Sequence, residues 1–509
     1  MLFRLALAVR FILLCYLSGM KRACTIILLL CVLLGGTRAQ EFTEVVEMTG
    51  TAGSGGFAPM WHLANRQGVS SVDNGMGYLR NGIGGRHWFG NRRIGLDWGF
   101  DFVAGAGLSS RVYIQQAFVD VNWRRMRVSI GQKERWSEFG NRRLTTGALV
   151  ESGNARPIPQ VRIELPRYWS IPGTDGWIGI KGHLAYGMFT DGSWQKDFVA
   201  ADEQHTENVL YHSKAGFIRL GNVNDFKLSA EFGLHMVTQF GGTIYNIAGE
   251  PGYNRRNPTR LKDFLLALVP LKGDREYNGS DQANVAGNVL GSWMGAVTWD
   301  DKAWKARLYY DHVFEDHSQM FWEYGLWTEQ LVGVEVCLKR FGWIENVTLE
   351  YFNLKKQSGP IYHDSTEKIP DQISCKDNNY NHDSYAGWFN YGMIIGTPLC
   401  TSPIYNKDGI LVCSNNRVEA FHFGVEGSPA DWLGYRLLFT HSNNWGTYGL
   451  PFTDIKQNTS GLVELTFKPE VFKGWSVAAS FAFDKGDLYG NNYGGMLSIG
   501  REFVFDLRK

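Results

Sequence analysis

Between Gly474 and Leu507 the chain alternates with a period of two. In Ser476–Asp484 the residues Val477, Ala479, Phe481 and Phe483 fall on one face, with Ser476, Ala478, Ser480, Ala482 and Asp484 on the other. In the return segment Tyr493, Leu497, Ile499, Phe503, Phe505 and Leu507 share a face that carries one charge, Arg501, opposite Gly494, Ser498, Gly500, Glu502 and Asp506. This periodicity predicts two strands, and Lys485–Asn492 (KGDLYGNN) supplies the turn between them. Tilted strands of roughly 9–11 residues, apolar outward and polar or small inward, are what a transmembrane β-barrel requires. An edge hairpin of a soluble sandwich carries the same pattern, so the rest of the chain decides.

Segments that can be written the same way recur from Arg93–Ala104 to Gly461–Lys468. The cleanest is Asp225–Gln239, with Phe226, Leu228, Ala230, Phe232, Leu234 and Met236 against Lys227, Ser229, Glu231, Gly233 and His235. The Glu41–Arg86 stretch resists division. With the C-terminus taken as periplasmic, one set of connections is short: Trp123–Met126, Pro166–Asp175, Gly221–Asn224, Asp300–Asp301, Arg340–Trp343, Ser428–Leu433 and Pro469–Lys473. The other set is longer: Glu134–Gln160, Thr190–Lys214, Phe240–Asn288, Asp316–Gln330, Lys355–Asn416, Ser442–Ser460 and Lys485–Asn492. The sets alternate, as short periplasmic turns and longer extracellular loops do in outer-membrane barrels, and a soluble sandwich has no reason to keep that parity. The expected fold is all-β, a transmembrane antiparallel β-barrel of about 16–18 strands with long extracellular loops. His183, Lys181, Lys227, Glu231, Arg307 and Asp311 are expected to point inward, and Leu261–Leu268 to form a short amphipathic helix decorating one loop.

Composition fits this picture. Of 509 residues, 60 are Gly and 14% are aromatic, which suits close strand packing and interfacial girdles. Residues 1–39 read as a signal peptide: Met20-Lys21-Arg22 is a charged start, Thr25–Leu34 an apolar core and Thr37-Arg38-Ala39 a small-residue cleavage site, with Met20 an alternative start to Met1. The single mature domain would then be 40–509. Losing Arg4, Arg10, Lys21, Arg22 and Arg38 takes the formal charge from +1 to about −4, which gives no indication of nucleic-acid binding.

Chemical motifs are sparse. Complete phosphate-binding and serine-nucleophile motifs are missing, so neither a cofactor nor enzyme activity is expected. Metal binding is not expected either, because paired C-x-x-C spacing is missing. In the run Asp311–His317, Asp311, Glu315 and His317 would share a strand face, but exposed rim polarity is the simpler reading. Cys375, Cys400 and Cys413 lie in one polar segment, where an exported chain could form one disulfide in any of three pairings. The long loops are rich in groups suited to sugars: Trp136, Arg142, Arg143 and Arg156; Trp322, Tyr324 and Trp327; Trp388; and Trp445 with Tyr448. Aromatic faces cover sugar C–H faces and Arg binds carboxylates in bidentate fashion, whereas the same aromatics could instead form an outer girdle or pack the loops.

The loop stretches Gly131–Trp136 through Ser152-Gly153-Asn154-Ala155-Arg156-Pro157-Ile158-Pro159, then His317–Gly325, Asn379-Tyr380-Asn381-His382 with Gly396-Thr397-Pro398-Leu399, and Asn444-Trp445-Gly446-Thr447-Tyr448, resemble the Wzi capsule-assembly family. The resemblance runs over most of the mature chain. It implies an outer-membrane barrel of about 18 strands acting as a lectin that holds capsular polysaccharide at the cell surface, with outer-membrane lipid around it. A monomer is expected. A porin or polysaccharide-export channel is the alternative. Two features depart from the family: the ending Phe505-Asp506-Leu507-Arg508-Lys509 has no terminal aromatic, and Glu41–Arg86 does not read as the helical periplasmic segment of some relatives.

Overall fold

The computed structural model describes residues 41–89, 93–137, 139–269, 287–315, 320–322, 325–357 and 377–506. The expected signal peptide, His317, Tyr324, Cys375 and the Leu507–Lys509 ending lie outside them. Eighteen strands form one antiparallel sheet. They are β1 Glu41–Ser54, β2 Met76–Phe89, β3 Ile94–Ala106, β4 Val112–Trp123, β5 Met126–Gln132, β6 Gln160–Ser170, β7 Ile178–Met188, β8 Leu210–Leu220 and β9 Leu228–Phe240, then β10 Asn288–Asp300, β11 Trp304–Glu315, β12 Gln330–Leu338, β13 Asn346–Asn353, β14 Val418–Ala430, β15 Leu433–Gly446, β16 Pro451–Phe467, β17 Trp475–Gly486 and β18 Asn492–Asp506. Each pairs with its sequence neighbour, and β1 pairs with β18 from Glu41↔Asp506 to Ser54↔Tyr493, which closes the barrel.

The alternation sets the two faces of the wall. Phe481 and Leu497 are half exposed on the outside, while Ala482, Asp484 and Met496 are buried inside. Lipid-facing side chains remain uncovered in a structure described without its bilayer, so exposed apolar residues mark the membrane band. Asp311, Glu231, Arg307 and His183 point inward as expected. Lys227 instead sits at the periplasmic turn, paired with Asp301 at 2.7 Å.

Three expectations need correction. Glu41–Arg86, hard to divide from sequence, is β1, most of β2 and an inward-folded connection carrying the one-turn helix α1, Met60–Leu63. Ser442–Ser460 is not a long loop: β15 and β16 continue to a four-residue turn at 447–450, and Lys485–Asn492 likewise shrinks to a turn at 487–491. Most importantly, the longest loops do not simply project outward. Segments 57–71, 139–158 and 379–416 fold into the lumen, where Trp61, Leu144, Leu149, Tyr380, Trp388, Ile394 and Leu399 form one core with the inward wall residues Tyr309, Val313, Phe352, Leu438, Leu462 and Ala482. The barrel's hydrophobic core is therefore a plug.

Candidate functional site

Buried loop backbone needs partners, and the inward face of the wall supplies them. Glu350 on β13 accepts hydrogen bonds from Thr146 N and Thr146 Oγ1, both at 2.7 Å, and from Thr145 Oγ1 and the Tyr309 hydroxyl. Asp311 accepts from Leu149 N at 3.0 Å and from Ser292 Oγ. Glu315 accepts from Tyr380 N at 3.0 Å, and Asp484 from Met60 N at 3.0 Å. Asp311 and Glu315 are thus plug anchors, and the expectation of exposed rim polarity gives way to full burial of Asp311.

The two main plug segments also bind each other. Ser152 Oγ donates to Gly396 O at 2.6 Å, Asn154 Nδ2 to Ile394 O at 2.9 Å, Asn390 Nδ2 to Arg156 O at 2.9 Å and Tyr380 OH to Leu149 O at 2.7 Å. Gly396 is required there, because a Cβ would stand 2.3 Å from the Leu149 carbonyl oxygen. Much of the sequence behind the family resemblance, including Ser152–Pro159 and Gly396–Leu399, is therefore plug.

A second network lies where Glu151 of the plug meets β7, β8 and β9. Glu151, His183 and His235 offer ligand atoms within 4.8 Å of one another, a donor set that suits zinc or iron. Hydrogen bonding argues otherwise. Arg162 Nη2 lies 2.8 Å from His183 Nδ1, and a guanidinium can only donate, so the proton of His183 sits on Nε2, 2.9 Å from Ser213 Oγ. The lone pair a metal would need there is taken. Burial opposes the charge on Glu151, yet the hydrogen bond and charge of His235, with Arg162 nearby, hold its carboxyl below the usual carboxylate range. As folded, the cluster latches the plug to the wall.

Below the plug the lumen is lined with ion pairs. Arg307 reaches Glu231 at 2.7 Å, Arg436 reaches Glu464 at 2.8 Å, and Arg127 reaches Glu164 at 3.3 Å. Arg143 joins this belt through Glu426 at 2.7 Å and Glu464 at 3.3 Å.

Among the described residues, the sequence-derived sugar candidates are not brought together at one site. Arg143 sits near the periplasmic mouth, and Arg142 stacks over Trp136 at 5.9 Å on the same descending segment, with Trp136 packed on Gly153. Arg156 is buried between the rings of Tyr113 at 3.5 Å and Tyr391 at 4.0 Å, and Trp388 is fully buried. Trp322 lies on the outer wall against Trp293 and His312, and exposed Trp327 follows it. Trp445, on the outward face of β15, stacks with Lys355 at 4.5 Å. Tyr448 stands in the extracellular turn between β15 and β16, 3.9 Å from Arg417. The outward rim holds groups not singled out from sequence: Phe57 beneath Lys407 at 4.7 Å and edge-on to Tyr405 at 5.1 Å, with Tyr405 stacked on Tyr489 at 4.8 Å.

Of the expected cysteine pairings, the structure brings together Cys400 and Cys413. Both are buried, and burial together with the neighbouring Cys413 pushes the Cys400 thiol up.

No family model matches the chain, and no curated protein matches it in sequence. Among solved structures the fold is similar to Wzi, described as an outer membrane protein involved in group 1 capsule assembly in Escherichia coli and as a carbohydrate-binding β-barrel. That match has 13% identity and a TM-score of 0.54, and covers 94% of this chain and 87% of that one. OccAB4 of Acinetobacter baumannii matches at 9% identity and a TM-score of 0.44, covering 91% and 98% of the two chains. OccK3 of Pseudomonas aeruginosa matches at 10% and 0.46, covering 91% and 96%. The likeness to Wzi is one of fold, and the closed eighteen-stranded wall is that of an outer-membrane β-barrel.

Proposed function

We propose that this barrel is a non-enzymatic, monomeric binding protein that retains surface polysaccharide, of capsular type, at the extracellular face of the outer membrane. The observation that carries the reading is the plug. A channel needs a continuous aqueous path, whereas here three segments fill the lumen with packed apolar side chains whose backbone groups bond to Glu350, Asp311 and Asp484. Closing the lumen leaves the extracellular rim as the working surface. The same proposal supports a firm scaffold for rim residues, since a plugged interior lowers the cost of ordering them on binding.

The rim chemistry suits an anionic or neutral glycan. Tyr448 with Arg417, and Phe57 with Lys407, each pair an aromatic face with a cation, which matches apolar sugar faces beside hydroxyls or carboxylates. The test is a pull-down of the purified full chain with the host strain's own capsular polysaccharide. Tyr448→Ala and Phe57→Ala should each reduce retention at least threefold, while Trp388→Phe, inside the plug, should not. No retention by the wild type would remove the proposal, and steady conductance of the wild type in a planar bilayer would favour the porin or export-channel alternative.

A further inference from the structure

Helix α2, Gly192–Phe198, belongs to the inward-facing assembly, but helix α3, Leu261–Leu268, does not. It packs on the outside of the wall, over β7 to β9. On these strands Leu184, Ile218 and Phe232 point outward and are exposed, and Tyr186, His212, Lys214 and Thr238 share that face. Polar groups facing lipid must be satisfied by protein. The helix does this: Tyr186 OH donates to Phe264 O at 2.7 Å, Lys214 Nζ to Ala267 O at 2.9 Å and Thr238 Oγ1 to Ala267 O at 3.4 Å. His212 beneath it is fully buried, and the Phe264 ring packs between Tyr186 and Phe240.

Having covered a polar patch, the helix turns an apolar stripe away from the barrel. Leu261, Leu265 and Val269, at steps of four, are 79%, 58% and 53% exposed. Next to it the segment around Trp322 covers outward-facing His312 on β11 in the same way and leaves Leu326 and Trp327 exposed.

The height of this collar identifies what it meets. Trp177 and Phe226 mark the periplasmic aromatic belt beside Leu228. From Leu228 to Thr238 the strand climbs ten residues, which at about 2.5 Å of height per tilted residue is roughly 25 Å, the height of the apolar band of such barrels. The collar therefore lies where the band meets the outer boundary, continuous with the lipid-facing surface below it. The geometry points to α3 and the adjoining 325–327 segment as a membrane-inserted collar, its Leu261–Leu265–Val269 stripe seated among the acyl chains of the outer leaflet. The inference rests on the barrel spanning a bilayer and is independent of polysaccharide binding.

The test places a bimane label at Leu265→Cys or, as an aqueous reference on the same loop, Tyr253→Cys, in a Cys337→Ser, Cys375→Ser background reconstituted into lipid vesicles. Buried Cys400 and Cys413 stay out of reach of the label. Bromination of the acyl chains should quench the Leu265 label at least twofold and leave the Tyr253 label unchanged, whereas aqueous iodide should do the reverse. Free quenching of the Leu265 label by iodide would overturn the inference. So would shielding from iodide without any response to brominated lipid, which would mean that protein, and not lipid, covers the stripe.

Discussion

Glu350→Ala isolates the claim that the plug is held by the wall. One carboxylate serves four donors, three from Thr145 and Thr146 on the descending plug segment and one from Tyr309. Hydrogen bonds to a charged acceptor are each worth about 1.5–3 kcal/mol. The hydroxyls of Thr145, Thr146 and Tyr309 can rotate to new partners, but Thr146 N–H cannot, so the sum overstates the loss. Removing one side of a buried charged network costs about 3–5 kcal/mol. Taking the lower figure, the equilibrium between docked and released 139–158 shifts by on the order of a hundredfold. The wall should survive, because its ladder does not pass through the Glu350 side chain. Hydrogen exchange of 139–158 in detergent should accelerate by about that factor while strand amides stay protected, and brief openings should appear in planar-bilayer recordings that the wild type lacks. A folded variant with unchanged exchange and no openings would refute the reasoning.

Oxidised protein isolated from the host should carry a Cys400–Cys413 disulfide, formed as a thiol oxidant takes two electrons and two protons from the pair; a mass spectrum of the alkylated, unreduced protein with both cysteines labelled would show otherwise. Gly396→Ala should lower the melting temperature or loosen the plug, since the new methyl must displace the Leu149 carbonyl; an unchanged exchange profile for 149–154 would count against the packing described. Burial pushes the Asp191 carboxyl from 3.8 up to about 6, against hydrogen bonds from Gln195 and Tyr391 N–H. The docked state therefore holds the proton more tightly, so docking of α2 is favoured at low pH and weakens as pH rises from about 4 to about 6. After correction for intrinsic exchange, protection of 192–198 should be roughly tenfold higher at pH 5 than at pH 7.5, and a reversed order would contradict the burial of Asp191.

Strands are legible in this sequence because lipid on one side and a polar or packed lumen on the other impose a period of two. Where both faces of a strand carry polar side chains the pattern fades, which is why Ser442–Ser460 reads as loop although β15 and β16 continue through most of it. The plug left one signal: Tyr391–Cys400 (YGMIIGTPLC) is too apolar for a solvated loop. What fills the lumen could not be read further, because Arg143 meets Glu426 across 283 residues and no local spacing encodes that. The sugar candidates show the limit of composition. Trp445 on the outer wall, Trp388 inside the plug and Tyr448 on the rim are alike in type, and only the face of the barrel distinguishes them.

The seam has a consequence for assembly order. Segment 57–62 takes three polar contacts from the last hairpin: Phe57 N donates to Asn492 Oδ1 at 3.1 Å, Met60 N to Asp484 Oδ2 at 3.0 Å, and His62 Nε2 lies 3.1 Å from Ser480 Oγ. Phe57 N and Met60 N, among the first parts of the barrel to be synthesised, must therefore wait for the last hairpin before they find these partners. Descending segment 139–158 needs β11, β13 and β14 in place to be pinned. Insertion and filling of the lumen must then proceed together, with the wall wrapping around its own contents. A barrel that closed early would shut its plug outside, so the slow, long-range pairing of β1 with β18 is the step that commits the molecule.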